Sequence, residues 1–176
     1  MTSTAPHVVL VGMMGAGKTT VGRLLAEQLG RRLIDSDELI EATSGRTVRE
    51  IWRTDGEPAF RVLETAALRD ALADPEPLVI AAAGGVVLSE ENRAALTDAH
   101  AVVVWLRAPP EVLVGRVGRD EHRPLLDDDP AATLQRMEDD REALYQEVAD
   151  VTVDTAATPP ERVAEQIAAL VGEGTA

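Results

Sequence analysis

The chain contains no cysteine and a single lysine, and it has no long apolar run. The absence of cysteine excludes disulfides, thiolate metal sites and cysteine nucleophiles. No apolar run approaches the roughly 20 residues of a membrane-spanning helix. The N-terminal residues MTSTAPH lack the basic and apolar regions of a signal peptide. We therefore expect a cytoplasmic protein that has no membrane partner.

Basic residues are scarce as well, because 17 Lys and Arg stand against 31 Asp and Glu, for a formal net charge of -14. Nonspecific binding to nucleic acid needs a basic surface, so this balance predicts no nucleic-acid partner. Apart from Lys18, every basic residue is an arginine. An anionic ligand must therefore be held by a few cations at particular positions, and Lys18 is the first candidate.

Apolar and amphipathic segments alternate regularly along the 176 residues, of which 45% are hydrophobic. This length and composition suit one domain, residues 1–176, with a sizeable core. Helical patterns lie between short apolar runs. The chain is thus predicted to be α/β, a three-layer domain with helices on both faces of a five-stranded parallel sheet. The predicted strands lie within residues 7–12, 31–37, 77–89, 101–109 and 150–155.

Several helix ends carry recognisable signals. The first helix is expected over residues 18–29, with Gly30 as its stop. Thr47 followed by Glu50 has the capping-box pattern at the start of another helix. Pro58 is expected to break that helix before a further one begins.

Two segments are predicted to be irregular. The charged, proline-flanked stretch at about residues 115–129 has the composition of an exposed mobile loop. The last residues, 172–176, are expected to form a frayed tail.

The segment GMMGAGKT, Gly12 to Thr19, fits the pattern G-x-x-x-x-G-K-[ST] between a predicted strand and a predicted helix. Glycines let consecutive backbone N–H groups turn toward a phosphate, and the following helix N-terminus favours the same anion. Lys18 can bridge phosphate oxygens, and the Thr19 hydroxyl can ligate Mg²⁺. A glycine-rich turn with a solvent-facing lysine is the alternative, but the pattern in this context favours a nucleotide triphosphate. The predicted nucleotide-binding residues are Gly15, Ala16, Gly17, Lys18, Thr19 and Thr20.

A phosphate loop alone does not distinguish kinases from GTPases or ATP-driven motors. The guanine-reading motif N-K-x-D of a GTPase needs a second lysine, which this chain lacks. Asp35 and Asp37 stand two apart at the end of the second predicted strand, where an extended chain would point both to one side near a cation. One acid could support Mg²⁺ while the other accepts a proton from an attacking hydroxyl. A solvated turn with a helix cap is the alternative.

The succession GMMGAGKTT, LIDSDELIE, DGEPAFRVLE, AAGGVV, HRPLL and REALY resembles the shikimate kinase family over nearly the whole chain. Many families share the phosphate loop, whereas the combination of these motifs is selective. The resemblance implies a P-loop fold like that of nucleoside monophosphate kinases. It also implies an ATP-dependent kinase that forms shikimate 3-phosphate and ADP with Mg²⁺. We expect a monomer that acts on small-molecule substrates.

The resemblance implies a role for each matching catalytic position. Asp37 corresponds to the acid that contacts the shikimate hydroxyls and is the candidate base, and Asp35 corresponds to the acid near Mg²⁺. Arg123 corresponds to a lid arginine that closes over the phosphates, which would exclude water from phosphoryl transfer. We expect the neighbouring His122 to be solvated, and Tyr145 to pack rather than to catalyse.

The resemblance also implies which residues hold the acceptor. Arg61 and Arg141 match two arginines that hold the shikimate carboxylate, because a guanidinium can donate two parallel hydrogen bonds. Either arginine alone could instead form a surface ion pair, with Glu64 or Glu138. Gly84 and Gly85 are expected to bring backbone N–H groups close to the acid. The rings of Trp52 and Phe60 could pack on the acceptor or belong to the core.

One position departs from the family pattern, which has three consecutive glycines where this chain has Ala83, Gly84 and Gly85. A methyl group at Ala83 is costly if the backbone there needs a positive φ, and harmless if its conformation is ordinary. The departure leaves two alternatives open. One is a kinase for another hydroxylated acid or cyclitol, of the gluconate type. The other is a catalytically weak, nucleotide-binding regulatory paralogue.

Overall fold

The computed structural model describes residues 5–117 and 129–173, which form five β-strands, seven α-helices and one short 3-10 helix. The strands are β1 (His7–Val11), β2 (Leu33–Asp35), β3 (Val79–Ala81), β4 (Ala101–Arg107) and β5 (Val151–Asp154). The 3-10 helix, η1, is Val86–Leu88. The α-helices are α1 (Lys18–Leu29), α2 (Ser36–Ser44), α3 (Val48–Leu72), α4 (Glu90–Asp98), α5 (Pro110–Val117), α6 (Pro130–Val148) and α7 (Pro160–Glu173).

The five strands pair in parallel in the order β2-β3-β1-β4-β5, which confirms the α/β prediction. The central strand β1 is buried along its whole length, and Val9 pairs with Ile80 on one side and Val103 on the other. Because all strands run the same way, the segments that follow β1, β2 and β3 meet at one edge of the sheet.

The helix ends follow the sequence signals closely. Helix α1 spans the predicted residues and ends at Gly30, which has the left-handed conformation (φ 62°). Thr47 and Glu50 form the complete capping box at the start of α3. These ends are local properties of the chain, so the sequence alone was enough to locate them.

The break within α3 lies at Gly56 rather than at the predicted Pro58. Gly56 adopts φ 83° and ψ 174°, a conformation that only glycine reaches without strain, and the helix resumes beyond it. Pro58 then stands in the first turn of the second segment, where the missing N–H costs no helical hydrogen bond. The kink matters for the site because it sets the direction of the segment that carries Arg61.

Regular helices extend into both segments that the sequence predicted to be irregular. Residues 115–117 are the last turn of α5, and Asp129 caps α6 by accepting a hydrogen bond from the Ala132 N–H. The rest of the predicted loop, including His122 and Arg123, lies outside the described residues. Helix α7 extends through Glu173, so the first two residues of the predicted frayed tail are helical.

The main core surrounds the sheet, and a small second cluster formed by Ile40, Ile51, Phe60 and Ala67 joins α2 to α3. This second cluster fixes the two helices that border the carboxyl ends of β2 and β3. Across residues 5–117 and 129–173, we find no helix with the length and apolarity needed to cross a membrane.

The amino end of β1 carries a buried histidine. The Leu78 N–H donates a hydrogen bond of 3.0 Å to Nδ1 of His7, whose side chain is almost fully buried. Burial lowers the pKa of His7, against a weaker opposing effect of Asp74. The neutral ring is therefore the form that the fold stabilises, and protonation of Nδ1 would remove the acceptor for Leu78.

We expect His7 to make the fold less stable in mild acid. A histidine with a lowered folded pKa contributes its full stability above about pH 6.5, its unfolded pKa, and loses that contribution as the pH falls through the folded pKa. The urea midpoint of His7→Gln, whose amide oxygen can still accept from Leu78, should fall less than that of the parent chain between about pH 7.5 and 5.5. Equal slopes in the two proteins would show that His7 does not titrate in this range.

Candidate active site

A cavity of about 880 Å³ opens at the carboxyl ends of β1, β2 and β3. Its walls come from the loop after β1, the start of α2, the second segment of α3 and the turn after β3. This position follows from the parallel sheet, in which ligands collect beyond the carboxyl ends of the strands. The predicted residues that line it are Gly15, Ala16, Gly17, Lys18, Thr19, Thr20, Asp35, Asp37, Arg61, Gly84, Gly85 and Arg141.

The loop between β1 and α1 has the backbone of an anion site. Gly15 and Gly17 adopt φ values of 81° and 97°, which other residues reach only with strain. Gly17 is also the N-cap of α1, and it has no side chain that could accept a hydrogen bond from the first N–H groups of the helix. The first N–H groups of α1 thus remain available at the floor of the cavity, where a phosphate would meet them and the positive end of the helix dipole.

Lys18 folds back over this loop. Its Nζ donates hydrogen bonds to the carbonyl oxygens of Gly12 (2.7 Å) and Met13 (3.0 Å). The ammonium group therefore lies beside the same loop whose N–H groups point to the cavity. A phosphate oxygen could replace one of these carbonyl acceptors with little movement of the side chain.

The structure brings together the two residues predicted to hold a metal. The Thr19 hydroxyl donates a 2.6 Å hydrogen bond to Oδ2 of Asp35, while Oδ1 of Asp35 accepts from the N–H groups of Asp37 and Glu38 and caps α2. Asp35 is therefore both the helix cap of the alternative interpretation and a neighbour of the phosphate loop.

Asp37 does not occupy the extended backbone that its spacing from Asp35 suggested. It lies in the first turn of α2, because Asp35 ends β2 and caps the helix at once. The same-side argument for the two carboxylates was therefore wrong, although both line the cavity. From this turn Asp37 lines the cavity, where its carboxylate could accept a hydrogen bond or a proton from a ligand.

The oxygen atoms near the phosphate loop fit Mg²⁺. Hydroxyl and carboxylate groups are the ligands this ion prefers, and it commonly takes only one or two of them from protein and the rest from phosphate and water. Within residues 5–117 and 129–173, no three or more His, Asp or Glu side chains gather around a possible metal position. Thr19 and Asp35 thus fit a metal brought by a nucleotide better than a metal held by protein alone.

Arg61 is fixed by acidic and aromatic neighbours. Its guanidinium contacts Glu57 (2.9 Å) and both oxygens of Glu64 (2.9 and 3.1 Å). It also stands over the rings of Trp52 and Phe60, at 5.5 and 5.6 Å from their centroids. The aromatic pair therefore supports the arginine, and Phe60 belongs to the second core cluster as well.

Glu64 is a site residue that the sequence argument considered only as a surface partner. Its side chain is 1% exposed and lines the cavity, so the ion pair with Arg61 is not on the surface. Burial raises the pKa of Glu64 to about 7, although Arg61 acts in the opposite direction, and Asp37 adds a smaller upward effect. The motif F-R-x-x-E carried the signal, because residues three apart share one face of a helix.

Arg141 also lines the cavity and is buried, so it does not form the surface ion pair with Glu138 of the alternative interpretation. Arg141 acts in the same direction as Arg61 on the pKa of Glu64, although more weakly, so both arginines belong to the surroundings of this carboxyl. Together, the two guanidinium groups make this end of the cavity a place for a small organic anion.

The turn after β3 shows where glycine is required. No residue other than glycine has a positive φ in the described part of the chain, so Ala83 has an ordinary backbone and its methyl group causes no strain. The Ala83 N–H donates a 2.8 Å hydrogen bond to Oγ of Ser36. By contrast, a side-chain carbon on Gly85 would overlap the guanidinium of Arg61, 2.6 Å from its Nη2.

Arg116 on α5 is a site residue that sequence reasoning missed. It donates from Nη1 to the Gly15 carbonyl (3.2 Å) and from Nη2 to the Thr155 carbonyl (2.6 Å), and it lines the cavity beside Thr158 and Pro160. Its motif-free surroundings, VLVGRVG, gave no signal. The contact depends on α5 and the segment after β5 meeting at the phosphate loop.

The comparisons with known proteins agree with this geometry. The family model described as shikimate kinase matches residues 14–171. The chain is 46% identical over 166 residues to a shikimate kinase of Thermobifida fusca, which covers 94% of this chain and 95% of that protein. It is 42% identical over 168 residues to a shikimate kinase of Psychrobacter cryohalolentis, with coverage of 95% and 89%.

A solved structure is similar over almost the same range. The shikimate kinase from Acinetobacter baumannii in complex with shikimate superimposes with a TM-score of 0.92 at 40% identity and covers 97% of this chain and 95% of that one. Fold, site and sequence similarity extend over nearly the full length together. The chain belongs to the shikimate kinase family.

Proposed function

We propose that this enzyme transfers the γ-phosphoryl group of ATP to the 3-hydroxyl of shikimate, giving shikimate 3-phosphate and ADP. The observation that carries this proposal is one cavity with a phosphate loop at one end and two arginines at the other. Membership of the family supports ATP as cosubstrate and an alcohol as acceptor.

The nucleotide is proposed to bind along the loop from Gly15 to Thr20. Backbone N–H groups at the start of α1 would hold the phosphates, and Lys18 would leave its carbonyl acceptors to contact them. Arg116, Thr158 and Pro160 would border the nucleoside, because they extend the cavity beyond the phosphate loop. Thr19 and Asp35 would hold Mg²⁺, which when bound neutralises phosphate charge.

The acceptor is proposed to bind between Arg61 and Arg141. Paired guanidinium groups suit a carboxylate, whereas a neutral polyol offers them no negative charge. The Acinetobacter baumannii relative was solved with shikimate, an acid with adjacent hydroxyls, and this supports the same acceptor here. Gly84 and Gly85 leave room for the ring to approach the backbone closely.

Asp37 is proposed to orient the attacking hydroxyl and accept its proton. It lines the same cavity as the phosphate loop and the two arginines, and it lies close enough to Glu64 to affect that carboxyl. Holding the two reactants in line would supply much of the rate, and Lys18 would stabilise the charge of the transferred group. Arg123 is proposed to assist from the loop, on the family resemblance alone.

We also propose that the enzyme acts as a monomer in the cytoplasm and without nucleic acid. The net charge of -14 supports the last point. No observation favours a gluconate-type kinase or a noncatalytic paralogue. The support that Ala83 gave to those alternatives disappears, since its backbone is ordinary.

The first test is the release of ADP from Mg-ATP with a panel of acceptors. Shikimate should stimulate release strongly, whereas quinate, gluconate and a nucleoside monophosphate should not. Shikimate methyl ester, which lacks the anionic charge, should bind at least about tenfold more weakly than shikimate if the arginines hold the carboxylate. Stimulation by gluconate alone would show that gluconate, and not shikimate, is the acceptor. ATP binding with no release for any acceptor would support the noncatalytic alternative.

Asp37→Asn should lower kcat by about 10²-fold to 10⁴-fold with a smaller change in the KM for shikimate, because the amide keeps the contact and loses the base. Glu38→Gln is the matched control, since Glu38 lies on the same turn, lines the cavity and pairs with Arg23. Steady-state kinetics of both variants would separate the effect of losing a negative charge on this turn from the effect of losing the base. A kcat near that of the parent in Asp37→Asn would exclude Asp37 as the base.

The affinity for shikimate should weaken as the pH rises above about 7, where Glu64 ionises. An anionic substrate between the arginines opposes this ionisation, so binding is linked to proton uptake and the KM increases with pH. Glu64→Gln stays neutral and should flatten the profile of KM between about pH 6.5 and 8.5. Glu57→Gln, which removes the exposed partner of Arg61, should keep the parent slope. An unchanged slope in Glu64→Gln would mean that another group titrates.

A further inference from the structure

Tyr145 lies outside the cavity lining but reaches the turn that forms its wall. The ring is fully buried on α6 and stacks on Trp105 of β4, with centroids 5.7 Å apart. Its hydroxyl donates a 2.6 Å hydrogen bond to the carbonyl oxygen of Gly84. Most of the side chain thus packs, as the sequence suggested, while its one polar atom reaches the site.

Gly84 stands where the two ends of the cavity meet. A side-chain carbon built on it would lie 3.3 Å from the Gly12 carbonyl oxygen, 3.6 Å from the Met14 nitrogen and 3.7 Å from Nη1 of Arg141. The backbone of Gly84 therefore separates the phosphate loop from one of the two acceptor arginines. A small rotation of its peptide group would change the space available to an acceptor.

Arg141 lies one turn earlier on α6, and its Nη1 stands beside the Gly84 backbone whose carbonyl accepts from Tyr145. The phenol proton goes to the Gly84 carbonyl oxygen, so the hydroxyl holds that peptide group in place. Burial raises the pKa of Tyr145 to about 12, so the phenol keeps its proton throughout the physiological range. The hydrogen bond to Gly84 is thus kept throughout that range.

We propose that Tyr145 is a positioning residue for acceptor binding, whose hydroxyl holds the Gly84 carbonyl and so fixes the turn beside which Arg141 stands. The inference rests on the proposed function, because Arg141 is taken to bind the acceptor carboxylate. Removing the hydroxyl leaves a buried carbonyl without its donor and lets the Gly84 peptide group shift relative to Arg141. The ring stacking on Trp105 does not need the hydroxyl.

Tyr145→Phe tests this directly, since it removes one oxygen atom and keeps the ring. The KM for shikimate should rise about tenfold, while the KM for ATP should stay within about twofold and kcat should fall less than the KM rises. Val148→Ala, a buried residue of the same helix outside the cavity lining, is the control for general loosening of α6. An unchanged KM in Tyr145→Phe, or an equal rise in Val148→Ala, would overturn the proposal.

A double-mutant cycle with Arg141→Lys identifies the route of the effect. If Tyr145 acts through Arg141, the sum of the binding free energies for shikimate lost in the two single variants should exceed the loss in the double variant. Additive losses, measured by calorimetry, would contradict that coupling. Failure of the parent enzyme to phosphorylate shikimate would refute the proposed function, a result distinct from an active parent with an unaffected Tyr145→Phe variant.

A labelling experiment covers the case in which Tyr145→Phe does not fold. Tyr145 is the single tyrosine of the chain, so growth on 3-fluorotyrosine labels this site alone. Shikimate should shift the fluorine resonance of the otherwise native protein, whereas a nonhydrolysable ATP analogue alone should shift it much less. A resonance that does not respond to shikimate would overturn the proposal.

Discussion

The parallel pairing of β1 between β3 and β4 is the constraint on which the site depends. It places the phosphate loop after β1 beside the glycine turn after β3, and the pairing of β3 with β2 brings Asp35 to the same edge. These three segments are far apart in the chain, so the pairing of the strands is what brings them together. A change of register in β1 would therefore disturb the nucleotide end and the acceptor end together.

A chain with so large an acidic excess binds anions by burying selected cations, not by its overall field. Arg61 and Arg141 are both drawn into the cavity wall, and the buried Glu64 faces them. One carboxylate near two guanidinium groups keeps them in place without neutralising the pair. Because the pKa of Glu64 is raised to about 7, this carboxylate can be neutralised by taking up a proton when a substrate anion enters. The same arrangement that orients the arginines thus makes their affinity sensitive to pH.

The features that the sequence predicted are those set by neighbouring residues. The bounds of α1, the capping box at Thr47 and the phosphate loop each depend on a few consecutive side chains and on backbone preferences. The error at Asp37 was also local, because Asp35 ends β2 and at once caps α2. The omission of Arg116 has a different cause, since its contact with the phosphate loop joins residues far apart in the chain. The spacing of residues along the chain does not predict such long-range contacts.

The glycine turn after β3 shows how a motif can be misread when it is taken as a string. Three glycines would suggest three positions that need backbone freedom, yet Ala83 fits with ordinary angles. The requirement lies at Gly85, where Arg61 fills the space of a side chain, and at Gly84, which the Tyr145 hydroxyl holds against the phosphate loop. Glycine is needed there because other groups must come close. Alanine at position 83 is therefore compatible with the acceptor site, whereas a methyl group on Gly85 would displace Arg61 and one on Gly84 would press on the Gly12 carbonyl.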